Sequence, residues 1–143
     1  ERAIAALCEC LCDWSGAVRE EARAALALVA GRGNDGAVAA TLEQLSVARS
    51  PSVMSVVLRT IGQLASKGDG RAISAVLAYT DDQCDEVRQV VLQMLAQLAV
   101  RGDEDVVRAV SSRVSDRSET VRVAALHALV EVAERGDDQA VRA

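Results

Sequence analysis

The stretch RGDEDVVRAV, Arg101–Val110, opens with a tripeptide known as a cell-adhesion signal, and RGDDQAV begins again at Arg135, thirty-four residues later. A tripeptide that returns at a fixed interval is read first as part of a repeating unit. Earlier in the chain Arg32-Gly33-Asn34 and Lys67-Gly68-Asp69 hold the same place. Lys for Arg and Asn for Asp would spoil an adhesion signal but leave the chemistry of a turn intact. A cation suits the negative end of the helix before the turn, Gly closes that helix in the left-handed conformation, and Asp or Asn caps the helix that follows. Gly33, Gly68, Gly102 and Gly136, with Asn34, Asp69, Asp103 and Asp137, are therefore structural turn residues. They are no phosphate loop either, because an acid or Asn stands after each glycine where an anion would sit.

Outward from the turn, Val18, Val53, Val87 and Val121 recur at intervals of 35, 34 and 34 residues. Apolar residues follow each Val at plus four (Ala22, Val57, Val91, Ala125), plus eight (Leu26, Ile61, Leu95, Leu129) and plus eleven (Val29, Leu64, Leu98, Val132). That is the face of one amphipathic helix, A, written four times. Ser15, Ser50 and Ser118 precede it as N-caps, and Pro51 fits the first helical position. After each glycine a shorter helix, B, is marked by Ala72, Ile73, Val76 and Leu77, and again by Val106, Val107 and Val110. The pattern predicts a B helix over about 2–11, A–B pairs starting near 15, 50 and 84, a fourth A helix over about 118–134, and the start of its B helix. Helix, tight turn, helix and short loop at this period predict an all-α chain, an α-α superhelix or α-solenoid of stacked helix-turn-helix units. The array is a single domain over 1–143: a partial repeat 1–12, repeats at about 13–47, 48–81 and 82–115, and a partial repeat 116–143. The missing initiator Met, and a start inside the periodic pattern, lead to the expectation of a fragment of a longer chain.

Composition narrows the function. Sixteen cations against twenty-one acids give a net charge of −5, scattered in short alternations, so nucleic acid is excluded as a partner. No apolar run reaches the length of a membrane span, so no membrane partner is expected. Phe is absent and Trp14 and Tyr79 stand alone, which suits close-packed helices of Ala, Val and Leu. Cys8, Cys10, Cys12 and Cys84 form no compact disulfide pattern, which points to a reducing, intracellular and cytoplasmic setting. On a helix Cys10 points away from Cys8 and Cys12, so the trio is read as free thiols, with no metal and no cofactor. His127, the single histidine, lies mid-helix with no serine marked for activation, so no catalytic residue is assigned.

The units DRSETVRVAALHALVEVAERGDDQAVRA (116–143) and DDQCDEVRQVVLQMLAQLAVRGDEDVVRAV (81–110) resemble HEAT repeats, specifically the short HEAT-like repeats first described in phycobilisome bilin lyases. The resemblance rests on Asp-x4-Val-Arg, Ala-Leu and the Gly-Asp turn in register. It implies a ladder of hydrogen bonds and ion pairs between the Asp before helix A and the Arg after its Val: Asp13 with Arg19, Asp82 with Arg88, Asp116 with Arg122. Ala48 and Met54 replace both members in the second unit, where the loop also holds one extra residue. Losing both is expected to cost less than losing one, since neither charge is then left unpaired. Arg23 replaces a leucine of the other units and is expected to keep its charge in water.

Such arrays serve as scaffolds, adaptors and occasional enzymes. The expected function is a non-catalytic scaffold segment that binds a partner protein along the row of B helices; the alternative is a fragment or subunit of a HEAT-like enzyme such as a bilin lyase. Positions pointing away from the apolar face of each B helix nominate Arg2, Glu9, Glu43, Arg71, Ser74, Asp105, Arg108 and Ser112 as partner-binding residues. At the ends, Ile4, Leu7, Val132 and Val141 are expected to lack covering neighbours, which would favour end-to-end self-association.

Overall fold

The computed structural model describes residues 1–133, all of whose elements are helices. Four long A helices, α2 (Gly16–Ala30), α4 (Pro51–Leu64), α6 (Asp85–Leu98) and α8 (Glu119–Val132), alternate with four B helices, α1 (Arg2–Cys10), α3 (Asp35–Val47), α5 (Gly70–Leu77) and α7 (Glu104–Ser112). Local chemistry sets the boundaries. The hydroxyls of Ser15, Ser50 and Ser118 accept the amides of Val18, Val53 and Val121, and Pro51 opens α4. Asn34, Asp69 and Asp103 cap α3, α5 and α7 by accepting amides of the first turn. At Asp69, burial alone would raise the carboxyl pKa, but hydrogen bonds from Arg71 and the Ala72 amide hold it below its ordinary value. Among the described residues no helix is long and apolar enough to cross a membrane.

The A helices form one row, α2 on α4, α4 on α6 and α6 on α8, and supply most of the core. Leu26, Leu58, Ile61, Leu64, Leu92, Leu95 and Leu98 are wholly buried, whereas each B helix buries one narrow face, such as Ala72, Ile73 and Val76 of α5. The unit is phased differently from the turn-based reading. Each B helix packs chiefly on the A helix that follows it, α1 on α2, α3 on α4, α5 on α6 and α7 on α8, while α2 and α3, although joined by the tight turn, touch little.

The turn explains the phasing. Helices α4 and α6 end at Ala65 and Ala99 in extended conformation, so the glycine does not close them. Gly68 and Gly102 come three residues later, at φ 88° and 86°, the third position of four-residue turns closed by Asp69 N–H to Ser66 O and Asp103 N–H to Val100 O. The amides of Gly33, Gly68 and Gly102 then donate to Leu64 O (2.7 Å), Leu98 O (2.6 Å) and Val132 O (2.7 Å), the last turn of the next A helix. The cation does the same. Arg32 Nη1 donates to Ala65 O at 2.8 Å and Arg101 Nη1 to Ala133 O at 2.7 Å, so each arginine complements the negative end of the following helix rather than of its own. Gly136 and Asp137 lie outside the described residues.

Leu95→Ala, in the middle of the A row, should cost roughly 2 to 5 kcal/mol in urea unfolding. Asp103→Ala should cost only about 1 kcal/mol as a lost cap. The reverse order would reassign core and turn.

Candidate functional site

The sequence marks two sets of residues, the ladder at the A-helix N-termini and the exposed B-helix positions. In the ladder, Arg19, Arg88 and Arg122 donate Nη1 to the backbone oxygens of Asp13 (2.7 Å), Asp82 (2.7 Å) and Asp116 (2.8 Å). The Asp carboxylates turn elsewhere, accepting the amides of Ser15, Cys84 and Ser118 two residues on. One side-chain ion pair runs between units. Arg88 Nε meets Asp116 Oδ2 at 2.9 Å and Nη2 meets Oδ1 at 3.0 Å, a two-pronged contact with both side chains almost entirely buried, 3% and 2% exposed. Arg113 adds a second cation to Asp116 at 3.2 Å. Burial would raise the Asp116 carboxyl pKa, but the Arg88 hydrogen bonds, the Ser118 amide and the charges of Arg88 and Arg113 hold it below its ordinary value. The same carboxylate pushes the Arg88 guanidinium above its ordinary value against the effect of burial.

The expected hydrogen bond within each unit is present, to the backbone oxygen of the Asp, while the ion pair, seen at Arg88–Asp116, crosses to the next unit, which changes the expectation for the deviant second unit. By register, Ala48 stands where Asp116 does, so the partner of Arg19 is gone. Arg19 Nε is buried without a hydrogen-bond partner among the described residues. Met54 stands where Arg88 does, and Asp82 accepts the Cys84 amide but, among the described residues, no guanidinium. Losing one Asp and one Arg of a single unit thus leaves a charge unmatched on each side. Arg23 keeps a partly exposed side chain and also donates to Glu20 at 2.8 Å and, through Nη1, to Gln63 of α4 at 3.0 Å, tying α2 to its neighbour.

All eight nominated partner residues, Arg2, Glu9, Glu43, Arg71, Ser74, Asp105, Arg108 and Ser112, are exposed. The two arginines differ in how far they are engaged. Arg71 reaches Asp35 of the preceding B helix at 3.2 Å and Asp69 at 3.4 Å, whereas Arg108, among the described residues, meets Asp105 of its own helix, at 3.2 Å. Arg71 thereby links α5 to the start of α3. Sequence reasoning missed a cleft of about 710 Å³ between α6 and α8, floored by Ala96, Ala124 and Ala128 and walled by Gln93, Gln97, His127 and Glu131. Arg32 and Lys67 border it from the turns after α2 and α4. Its sequence signal is the spacing of Gln93 and His127, and of Gln97 and Glu131, at one repeat apart.

The cysteines divide as helical phase requires. Cys8 is buried 3.8 Å from Thr41 Oγ1 and Cys12 donates to Gln44 Oε1 at 3.1 Å, both toward α3, while Cys10 lines a groove against α2. Burial pushes both the Cys8 and the Cys12 thiol upward in pKa, the first opposed by the Thr41 hydrogen bond and the second by the charge of Arg19. Among the described residues no three His, Cys, Asp or Glu side chains come together as a metal ion would need. No family model matches the chain, and no curated protein matches it.

Two outcomes follow for the ladder. Ala48→Asp should raise stability by about 1 to 2 kcal/mol by giving Arg19 a carboxylate and the Ser50 amide an acceptor, and the gain should vanish in an Arg19→Ala background. Asp116→Asn should cost on the order of 3 kcal/mol at neutral pH by leaving Arg88 buried without its counter-charge. Because the folded Asp116 titrates below its unfolded value, that stabilisation is complete above the ordinary carboxylate range and lost as pH falls through the folded value. The gap between wild type and variant in denaturant midpoint should accordingly close in strong acid.

Proposed function

We propose that the chain is a segment of an α-solenoid of the HEAT-repeat family and acts as a non-catalytic, intracellular scaffold that binds a partner protein along its row of B helices. The observation that carries this reading is the division of labour between the two kinds of helix. An interior A helix such as α6 is enclosed by α4, α8 and α5, whereas α5 and α7 bury one stripe and leave Arg71, Ser74, Asp105, Arg108 and Ser112 in solvent. A row of short helices with free outer faces, one per repeat, is a surface that a long partner can follow. It carries no aromatic anchor, so affinity is expected to come from several repeats acting together. The catalytic alternative, a fragment of a lyase-like enzyme, rests on resemblance alone.

A second location has its own support. The cleft between α6 and α8 offers two carboxamides, an imidazole and a carboxylate over a floor of alanines, with no B-helix residue in its lining. The two locations are separated by one pair of variants, assayed for capture of a cross-linked partner from the source extract. Arg71→Ala with Arg108→Ala should weaken capture severalfold and leave the melting temperature nearly unchanged, since exposed ion pairs contribute at most about 1 kcal/mol each. Gln93→Ala with His127→Ala should have no effect. The opposite outcome moves the interface to the A row.

A further inference from the structure

Within the ladder, Arg88 shows what a guanidinium at this register position holds. Its Nη1 fastens the loop of its own unit at Asp82 O, and its Nε–Nη2 edge takes both carboxylate oxygens of Asp116, at 2.9 and 3.0 Å. Arg19 repeats the first half, with Nη1 on Asp13 O at 2.7 Å. The second half is missing, because Ala48 replaces the aspartate. Among the described residues Nε is buried without a partner and Nη2 makes no hydrogen bond. The residue beside Nη2 is Gly16, where a Cβ would lie 3.4 Å away, so no side chain fills that approach.

Arg19 also lines a pocket of about 310 Å³ between α2 and α4, to which α6 adds Glu86. Ser55 lines it from α4, 6% exposed, and its Oγ has no hydrogen-bond partner among the described residues. Buried helical hydroxyls commonly return to the carbonyl four residues back, as Thr60 does to Val56 O at 2.8 Å. Ser55 does not. Buried polar groups are ordinarily paired, and two that are not border one pocket. Arg19, Arg23 and Arg59 against Glu20 and Glu86 give this pocket three cations and two anions, a surplus of one positive charge in a chain of net charge −5.

We propose that the pocket binds an organic carboxylate, held by the Nε–Nη2 edge of Arg19 as Asp116 is held by Arg88, with Ser55 Oγ as a further donor. A guanidinium edge fits a carboxylate or a phosphate equally well in shape. Charge decides between them, since Glu20 and Glu86 repel a second negative charge on the ligand. The carboxylate can arrive as a free small acid or as an acidic side chain of a protein segment. The site lies among A helices and is independent of a partner on the B row.

Proton–nitrogen NMR of the full chain, read at the arginine Nε–Hε signals and at constant ionic strength, tests this with acetate replacing chloride. The Arg19 signal should move saturably while that of Arg88, already paired, stays in place. Ala48→Asp supplies the carboxylate from within and should abolish the response. Ser55→Ala, with helicity checked by circular dichroism, should weaken the acetate affinity severalfold. A capped tetrapeptide with one aspartate that saturates below acetate assigns the group to a protein segment, and one that does not assigns it to a free acid. An Arg19 signal that does not move, that moves equally in Ala48→Asp, or that answers inorganic phosphate more strongly than acetate would each overturn the proposal.

Discussion

A glycine amide that leaves its own helix and binds the end of the next one is the contact on which the arrangement turns. Three times, at Gly33, Gly68 and Gly102, the donor reaches a last-turn carbonyl of the following A helix at 2.6 to 2.7 Å. Helix ends carry unpaired carbonyls and partial negative charge, so they need donors and favour cations. The preceding turn supplies both, the amide from glycine and, at Arg32 and Arg101, a guanidinium on the residue before it. Only a residue tolerant of positive φ can hold that amide in place, which is why glycine recurs while its neighbours vary between Arg and Lys or Asp and Asn. The same geometry sends each B helix toward the next A helix rather than back along its own.

At the opposite ends of the A helices the neighbour contact is ionic. Arg88 uses one nitrogen to fasten the loop of its own unit and its other edge to hold Asp116 of the next. Such a pair contributes little net stability when complete and costs much when halved, so its value lies in fixing which loop meets which helix. The second unit shows the consequence of halving it, with Arg19 Nε buried and unpartnered among the described residues.

Much of the fold was legible in the sequence because period and capping are local. The 3.6-residue pattern placed the helices to within a few residues, and the serines and aspartates before them marked their starts. Direction between units was not legible. A residue such as Arg101 or Asp116 announces what it can bond, but partners spaced one repeat apart are chemically alike, and nothing in a one-dimensional pattern chooses between them. The exposure of the B-helix residues followed from helical phase alone. The cleft of Gln93, Gln97, His127 and Glu131 did not, because it depends on how far small residues at Ala96, Ala124 and Ala128 let α6 and α8 leave a gap. The burial of Ile4 and Val132 was likewise missed. Val141 lies outside the described residues.

Amide hydrogen exchange, followed by NMR residue by residue, tests the inter-unit clamp most directly. The glycines sit in loops, where amides ordinarily exchange fast. If the clamp is as described, the amides of Gly33, Gly68 and Gly102 are protected as strongly as those of Leu64 and Leu98 in the helices they bind, while loop amides such as that of Lys67 exchange rapidly. Exchange of the three glycines at the rate of their loop neighbours would contradict it.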